Sequence, residues 1–325
     1  MRLVYTLLVL LAAVSLADAC NIPVFRYALE RWRPDECEVV VFHQGGLTAQ
    51  QEAVLAESMP AANSLGSANP DSTGNQVTGA RVVRADLSQA DGPHHSLWLQ
   101  LADESTKSLP YVVVRAKIGT GRTVNAWHGP LDSVRNWDVF QSPARAEVAR
   151  RLLAGHSVVW LVITSNDDDR NAQVRQTLGE SLESLADKIQ LPDGIGLPGS
   201  ELYSEIPLLV KFSMLEVRQD DPEEKFLIDL FSSFRPNTLS AGEPLVVPVF
   251  GRGRALEVIP AGELNERLIG DLAGFLSGAC SCQVKEQNPG FDLLFSVDWN
   301  TELFGQGFEP PPAKTVGDRA QPQLL

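Results

Sequence analysis

Three cysteines carry the most chemically suggestive spacing in the chain: Cys280-Ser281-Cys282 as a close pair, with Cys20 near the opposite end. A Cys-x-Cys pair can close into a strained, easily reduced disulfide, because so short a loop distorts the bond. It can equally present two thiolates to a soft metal such as Cu(I) or Zn, although a closed zinc site takes four ligands. Cys20 supplies a third sulfur if the two ends of the chain meet. The plainer expectation is structural: Cys280 or Cys282 joined to Cys20 or Cys37, stapling the C-terminal segment. Cys37 heads an apolar run and is expected as a packed core thiol or a disulfide partner. The structural reading needs no cofactor; the metal reading needs Cu or Zn.

Other constellations point less far. Arg252 and Arg254 flank Gly253, and two arginines on one tight turn can hold a carboxylate or phosphate; solvated turn residues are the ordinary alternative. The histidines are His43, His94, His95, His128 and His156, and no two have the i, i+4 spacing of a helical metal site. Asp167 to Asp169 lacks the alternation and distal Glu of a calcium loop, so helix capping is expected there. No Gly-x-Ser-x-Gly and no Gly-x-x-x-x-Gly-Lys occurs, which leaves hydrolase and nucleotide-binding chemistry without a motif.

Composition bounds the class. The chain has 325 residues with 44% apolar content, enough for two packed domains. Net charge is −14, which disfavours nucleic acid and anionic membranes as partners because both need clustered Lys and Arg. Arg2, the uncharged apolar run Val4 to Leu16 and Ala17-Asp18-Ala19 form the three parts of a secretory signal. The expectation is an exported protein, periplasmic or extracellular, beginning at Cys20. Lipid anchoring at Cys20 is the alternative, against which Asp18 stands, since such signals want a small or apolar residue there. No segment is long enough for a transmembrane span. The partner expected is a protein or a small ligand.

The elements that must position these residues follow a repeated plan. After a short helix over Pro23 to Arg33, Glu38 to His43 reads as a strand. Thr48 with Gln51 opens a helix through a capping box. Arg81 to Leu87 is a strand and Ser96 to Ser105 a helix. Leu109-Pro110 opens a third strand, with a hairpin partner at Thr123 to His128. Ser142 and Pro143 start a helix that ends near Gly155. The plan then recurs: strand Ser157 to Thr164, a long helix with Val174, Leu178 and Leu182 on its face, strand Leu208 to Arg218, helix Pro222 to Phe234. Glu243-Pro244 opens the next strand, with a hairpin partner over Arg254 to Ile259 and a helix from about Leu264. Pro60 to Ala80 is expected as a loop, and the chain from Glu309 as a disordered tail.

Each unit therefore reads β-α-β-α-β-β-α, with a proline opening its third strand. That order resembles the thioredoxin fold, over Glu38 to Gly155 and Ser157 to about Gly278, and the chain is similar to a group of exported bacterial proteins. The resemblance implies an α/β architecture of two tandem three-layer domains with central mixed sheets. It also implies cis peptide bonds at Pro110 and Pro244, and a reactive Cys-x-x-Cys at the start of each first helix. There the positive end of the helix dipole stabilises a thiolate. This chain has His43-Gln44-Gly45-Gly46-Leu47-Thr48 at the first such place and Ser165-Asn166-Asp167-Asp168-Asp169 at the second. Neither holds a thiol, so the family's oxidoreductase activity does not carry over. The expected layout is a signal over 1–19, a first domain with an extra N-terminal helix over 20–155, a second over 156–282, and an extension over 283–325. The expected function is that of an exported, non-catalytic binding or structural protein. The alternative is a thiol-disulfide or soft-metal handler using Cys20, Cys280 and Cys282.

Overall fold

The four most apolar strands decide the architecture. In Cys37–His43 (β1), Tyr111–Ile118 (β3), Val158–Thr164 (β5) and Leu245–Phe250 (β7), successive residues alternate between two separate apolar clusters. Val39 and Val41 enter one core while Val40 and Phe42 enter another. Likewise Val159, Leu161 and Ile163 face one core, and Val158, Trp160 and Val162 the other. Such strands must be covered on both faces, which is why they read as continuous apolar runs. The computed structural model describes residues 20–35, 37–58, 80–89, 92, 94–101, 108–118, 122–133, 141–280 and 284–305. The expected signal, residues 60–79 of the expected loop, Cys282 and the tail from Glu309 lie outside them.

In the first unit β1 pairs in parallel with Ala80–Asp86 (β2) and antiparallel with β3, which pairs antiparallel with Arg122–Pro130 (β4). The helices are Ala49–Ser58 (α2), His95–Gln100 (α3) and Pro143–Leu153 (α4), after the N-terminal helix Val24–Arg31 (α1). In the second unit β5 pairs in parallel with Phe212–Arg218 (β6) and antiparallel with β7. Its helices are Asp168–Lys188 (α5), Lys225–Phe234 (α6) and Glu266–Ser277 (α7). The return strand of the second hairpin is broken into Arg254–Ala255 (β8) and Ile259–Pro260 (β9), both antiparallel to β7. Element order and strand direction are thus those of the thioredoxin fold, twice over.

Three parts of the expected layout are corrected. First, α1 does not belong to the first unit. Its Val24, Phe25, Tyr27 and Ala28 pack with Trp160, Val162, Leu178 and Ile269, all of the second unit. The reason is that α1 is buried along Val24 to Glu30 and needs cover on several sides, which α7 and β7 provide. Second, the segment after Cys282 is not an appendage. Phe291–Asp292 (β10) pairs with Ile118 of β3 on one side and with β8 on the other, joining the four strands of the first unit and the five of the second into one ten-stranded sheet. Trp299–Phe304 (α8) then buries Trp299 and Leu303 in the core shared by both units. Third, only one of the two prolines is cis: the Leu109–Pro110 bond is, and Glu243–Pro244 is not. The chain reaches Pro244 through a 3-10 turn over Leu239–Ala241 that ends on Gly242 at φ 76°, so the left-handed glycine makes the reversal.

A buried charge cluster holds the join. Arg254 donates from Nε to the Pro289 carbonyl (3.0 Å), from Nη2 to the carbonyls of Asn288 (3.1 Å) and Gly290 (2.9 Å), and from Nη1 to Asp292 (2.9 Å). Lys285 reaches the same Asp292 carboxylate, the Asp35 carboxylate (3.0 Å) and the Arg33 carbonyl (2.6 Å). Burial alone raises the Asp292 pKa, and Lys285 and Arg254 more than reverse it, so the group stays below its ordinary value. Asp35 is pushed the other way, by burial first and by Asp292 second. Arg254→Ala is expected to cost about 3–5 kcal/mol, because it leaves three carbonyls without their donor and removes one of the two cationic partners of the buried Asp292. Arg254→Lys recovers only part of this, since an ammonium lacks the planar fork. Urea unfolding midpoints of the three proteins check both statements.

Candidate functional site: the two helix starts

The chemistry of this fold class is carried where the first strand of a unit hands over to its first helix. In the first unit β1 ends at His43, and Gly45 and Gly46 turn the chain at φ 75° and 91°. The register Phe42↔Tyr111 sets His43 opposite Pro110. His43 is buried, and its Nδ1 accepts from the Gly46 N–H at 3.3 Å. The expected capping box is present: Thr48 N–H donates to Gln51 Oε1 (2.9 Å) and Gln51 N–H to Thr48 Oγ1 (3.3 Å). Glu52, in the first turn of α2, is held by both branches of the Arg84 guanidinium at 3.0 and 2.7 Å. That hydrogen bonding to Arg84 keeps the Glu52 carboxyl below its usual range.

In the second unit Asp167 caps α5, accepting from the Arg170 N–H at 3.0 Å. Ser165 and Asn171 lock the turn before it. Ser165 N–H donates to Asn171 Oδ1 (2.9 Å), Asn171 Nδ2 returns to the Ser165 carbonyl (2.9 Å), and Ser165 Oγ donates to the Gly242 carbonyl (2.8 Å). Three clefts of about 430, 420 and 560 Å³ surround this end of α5. Their charges are largely matched in place: Arg175 lies 2.8 Å from Glu216, and Arg218 holds Asp220 through two contacts. Both helix starts therefore spend a first-turn N–H on the chain's own side chains, a capping geometry with no thiol in it.

The described thiols lie elsewhere. Cys37 opens β1, six residues before His43 and hence about 20 Å from it along an extended strand. Burial, with a smaller push from Glu38, raises its pKa to about 12. Cys20 and Cys280 belong to one apolar cluster. Cys280 N–H donates to the Ile22 carbonyl at 2.9 Å, Pro23 bridges Ala279 antiparallel, and both cysteines are buried in the core under α1 and α7. The segment that follows Cys20 thus pairs with the segment that follows α7. Cys282 lies outside the described residues. Among those residues no disulfide joins Cys20, Cys37 and Cys280, and no three of His, Cys, Asp and Glu gather as a metal site.

Arg252 and Arg254 depart from both sequence readings, because they are neither solvated nor open to an anion. Arg252 is buried and donates to the carbonyls of Leu29 (2.7 Å) and Glu30 (2.9 Å) and to Asn300 Oδ1 (2.8 Å). Burial lowers its pKa to about 10. Arg254 is consumed by the cluster around Asp292. Gly253 explains the tightness of this turn: at φ 88° it packs so closely on Phe295 that a Cβ would sit 2.1 Å from the ring. A solvated hairpin tip was expected, and what lies over it is the chain's own C-terminal segment.

Several structural charges were missed. Arg26 and Glu30 form a buried pair at 2.9 Å, and Glu30 accepts from the N–H groups of Tyr203 and Ser204 at 3.0 and 3.1 Å. Glu224, buried and pushed up in pKa by that burial, accepts from the Ala144 N–H at the start of α4 (2.6 Å). The i, i+4 spacing of Arg26 and Glu30 was a readable signal. Glu224 and Ala144 are 80 residues apart and left none.

No protein-family model matches the chain, and no curated protein matches it. Among solved structures, the crystal structure of ERdj5 form II is similar at 11% identity over 74% of this chain, with a TM-score of 0.19. The chain spans 27% of that structure's length, about a quarter. Strand order and direction, rather than that likeness, define the class: an α/β protein of two tandem thioredoxin-like units whose helix starts carry no cysteine.

Two measurements test this description. Cys37 is expected to resist a disulfide reagent at pH 8 in the native protein and to react once the chain is unfolded. His156, hydrogen-bonded to Ser213 at 2.9 Å, has its pKa lowered to about 4 by burial first and by Lys211 second. The unfolded chain then binds a proton that the folded chain refuses. Stability is expected to fall as pH drops through about 6.5 and to stop responding to this group below about 4. An NMR titration of the His156 ring, with unfolding midpoints across that window, checks the sign.

Proposed function

We propose that this chain is an exported, non-catalytic binding protein that uses two thioredoxin-like units as a rigid scaffold. The observation that carries the reading is the state of the two helix starts. Each has a first-turn N–H capped, by Thr48 or by Asp167, and neither holds a sulfur that the positive helix end could activate. The shared core and the strand β10 between the units support a scaffold that keeps one relative orientation. Among the described residues no helix is long and apolar enough to cross a membrane. A protein or a small ligand is the partner this reading calls for, and it needs no cofactor.

A second reading is favoured by one specific observation, the Cys280 N–H to Ile22 carbonyl bond that brings Cys280 to the segment carrying Cys20. In that reading Cys20, Cys280 and Cys282 handle thiols or a soft metal, Cu or Zn. The purified protein without residues 1–19 is expected to show no catalysed reduction of insulin disulfides and less than about 0.1 equivalent of Cu or Zn after dialysis. Turnover abolished by Cys280→Ser, or one bound equivalent of metal lost in the same variant, would replace the first reading with the second.

A further inference from the structure

A cleft of about 690 Å³ opens between α4 and the segment running from Phe295 into α8. Ala146, Ala149, Leu153, Phe295 and Val297 line its apolar part. It lies where the last helix of the first unit meets the C-terminal segment that joins both units, and its size is in the range of ligand sites.

The charges around it are not equally available. Arg150 is held by Glu147 through two contacts at 2.6 and 2.7 Å. Arg145 is buried and donates to Ser142 Oγ (3.0 Å) and to the Leu294 carbonyl (2.8 Å), with its guanidinium over the Phe226 ring. Asp298 is used as the cap of α8, accepting from Thr301 N–H and Oγ1 at 3.1 and 2.7 Å. Glu223 and Glu302 are different: both are exposed on the rim, and among the described residues no hydrogen bond or ion pair engages either carboxylate. An arriving group thus meets apolar walls, spent cations and two open anions.

We infer that this cleft docks a basic peptide segment of a partner protein, an aliphatic or aromatic side chain filling the apolar part while flanking Lys or Arg side chains meet Glu223 and Glu302. The inference deepens the binding-protein reading and rests on it. Charge complementarity selects the occupant. An acidic segment finds no open cation, and an uncharged one leaves the two rim carboxylates without a partner. The protein's net charge of −14 steers the same class of partner toward it.

The test uses the full chain without residues 1–19 and a fluorescein-labelled Lys-Leu-Lys-Phe-Lys-Leu-Lys peptide, read by anisotropy. Saturable binding is expected, weakened at least tenfold by Ala146→Trp, which fills the cleft from an exposed helical position. A similar loss is expected from Glu223→Lys with Glu302→Lys, in a variant that leaves the walls intact. Glu183→Lys, an exposed charge on α5 far from the cleft in sequence, is expected to change binding less than twofold. The proposal is overturned by no saturable binding, by equal binding of the Glu-Leu-Glu-Phe-Glu-Leu-Glu peptide, or by Glu183→Lys acting as strongly as the rim variant. It is also overturned if deleting residues 306–325 raises affinity tenfold, since the occupant would then be the chain's own segment. None of these outcomes touches insulin turnover, so failure of the cleft is distinguishable from failure of the scaffold reading.

Discussion

The molecule depends on one guanidinium. Arg254 sits in a two-residue strand, yet it binds three successive carbonyls, Asn288 to Gly290, together with the carboxylate of Asp292. That fixes the turn which delivers Phe291 between β3 and β8, where backbone pairing is only one or two residues long. So short a ladder cannot hold two sheets in register alone. Apolar burial supplies the larger share of the stabilisation: Phe291, Leu293, Phe295, Trp299 and Leu303 all enter the shared core, each worth about 1.5–3 kcal/mol. The charges supply direction, because a buried carboxylate with two cationic partners tolerates only one placement of the segment carrying it.

What could be read from the residues was local. Periods of 2 and 3.6, Ser142 with Pro143, and Thr48 with Gln51 located the strands and helices of both units in the right order. The expected strand from Leu208 began instead at Phe212, and the hairpin return after Arg254 was broken in two. What could not be read was which surfaces meet. α1 precedes the first unit in sequence and covers the second, because burial along Val24 to Glu30 says only that cover is needed, not where it comes from. Phe291–Asp292 is too short to announce itself as a strand. Arg252 and Arg254 looked like turn residues because the carbonyls they bind lie more than 30 residues away.

The candidate site was legible mainly as an absence of sulfur. His43 opposite Pro110, and Ser165 locked to Asn171, show what stands at these positions: side chains that satisfy backbone groups. The same economy appears at the thiols. Cys37 is raised in pKa by burial, and Cys20 and Cys280 lie under helices. The proline comparison fits this picture at the level of packing, since in the second unit Gly242 makes the reversal before Pro244 and accepts Ser165 through its carbonyl.

The placement of α1 sets a timetable for synthesis. Its partners Ile269 and Leu276, and the Gly278 carbonyl that receives the Val24 N–H, leave the ribosome some 250 residues after the helix itself. At about 5–20 residues per second that is a wait on the order of 10–50 s with Val24, Phe25 and Ala28 uncovered. The cover that α7 gives to the first helix therefore becomes available only when the far end of the chain has been made.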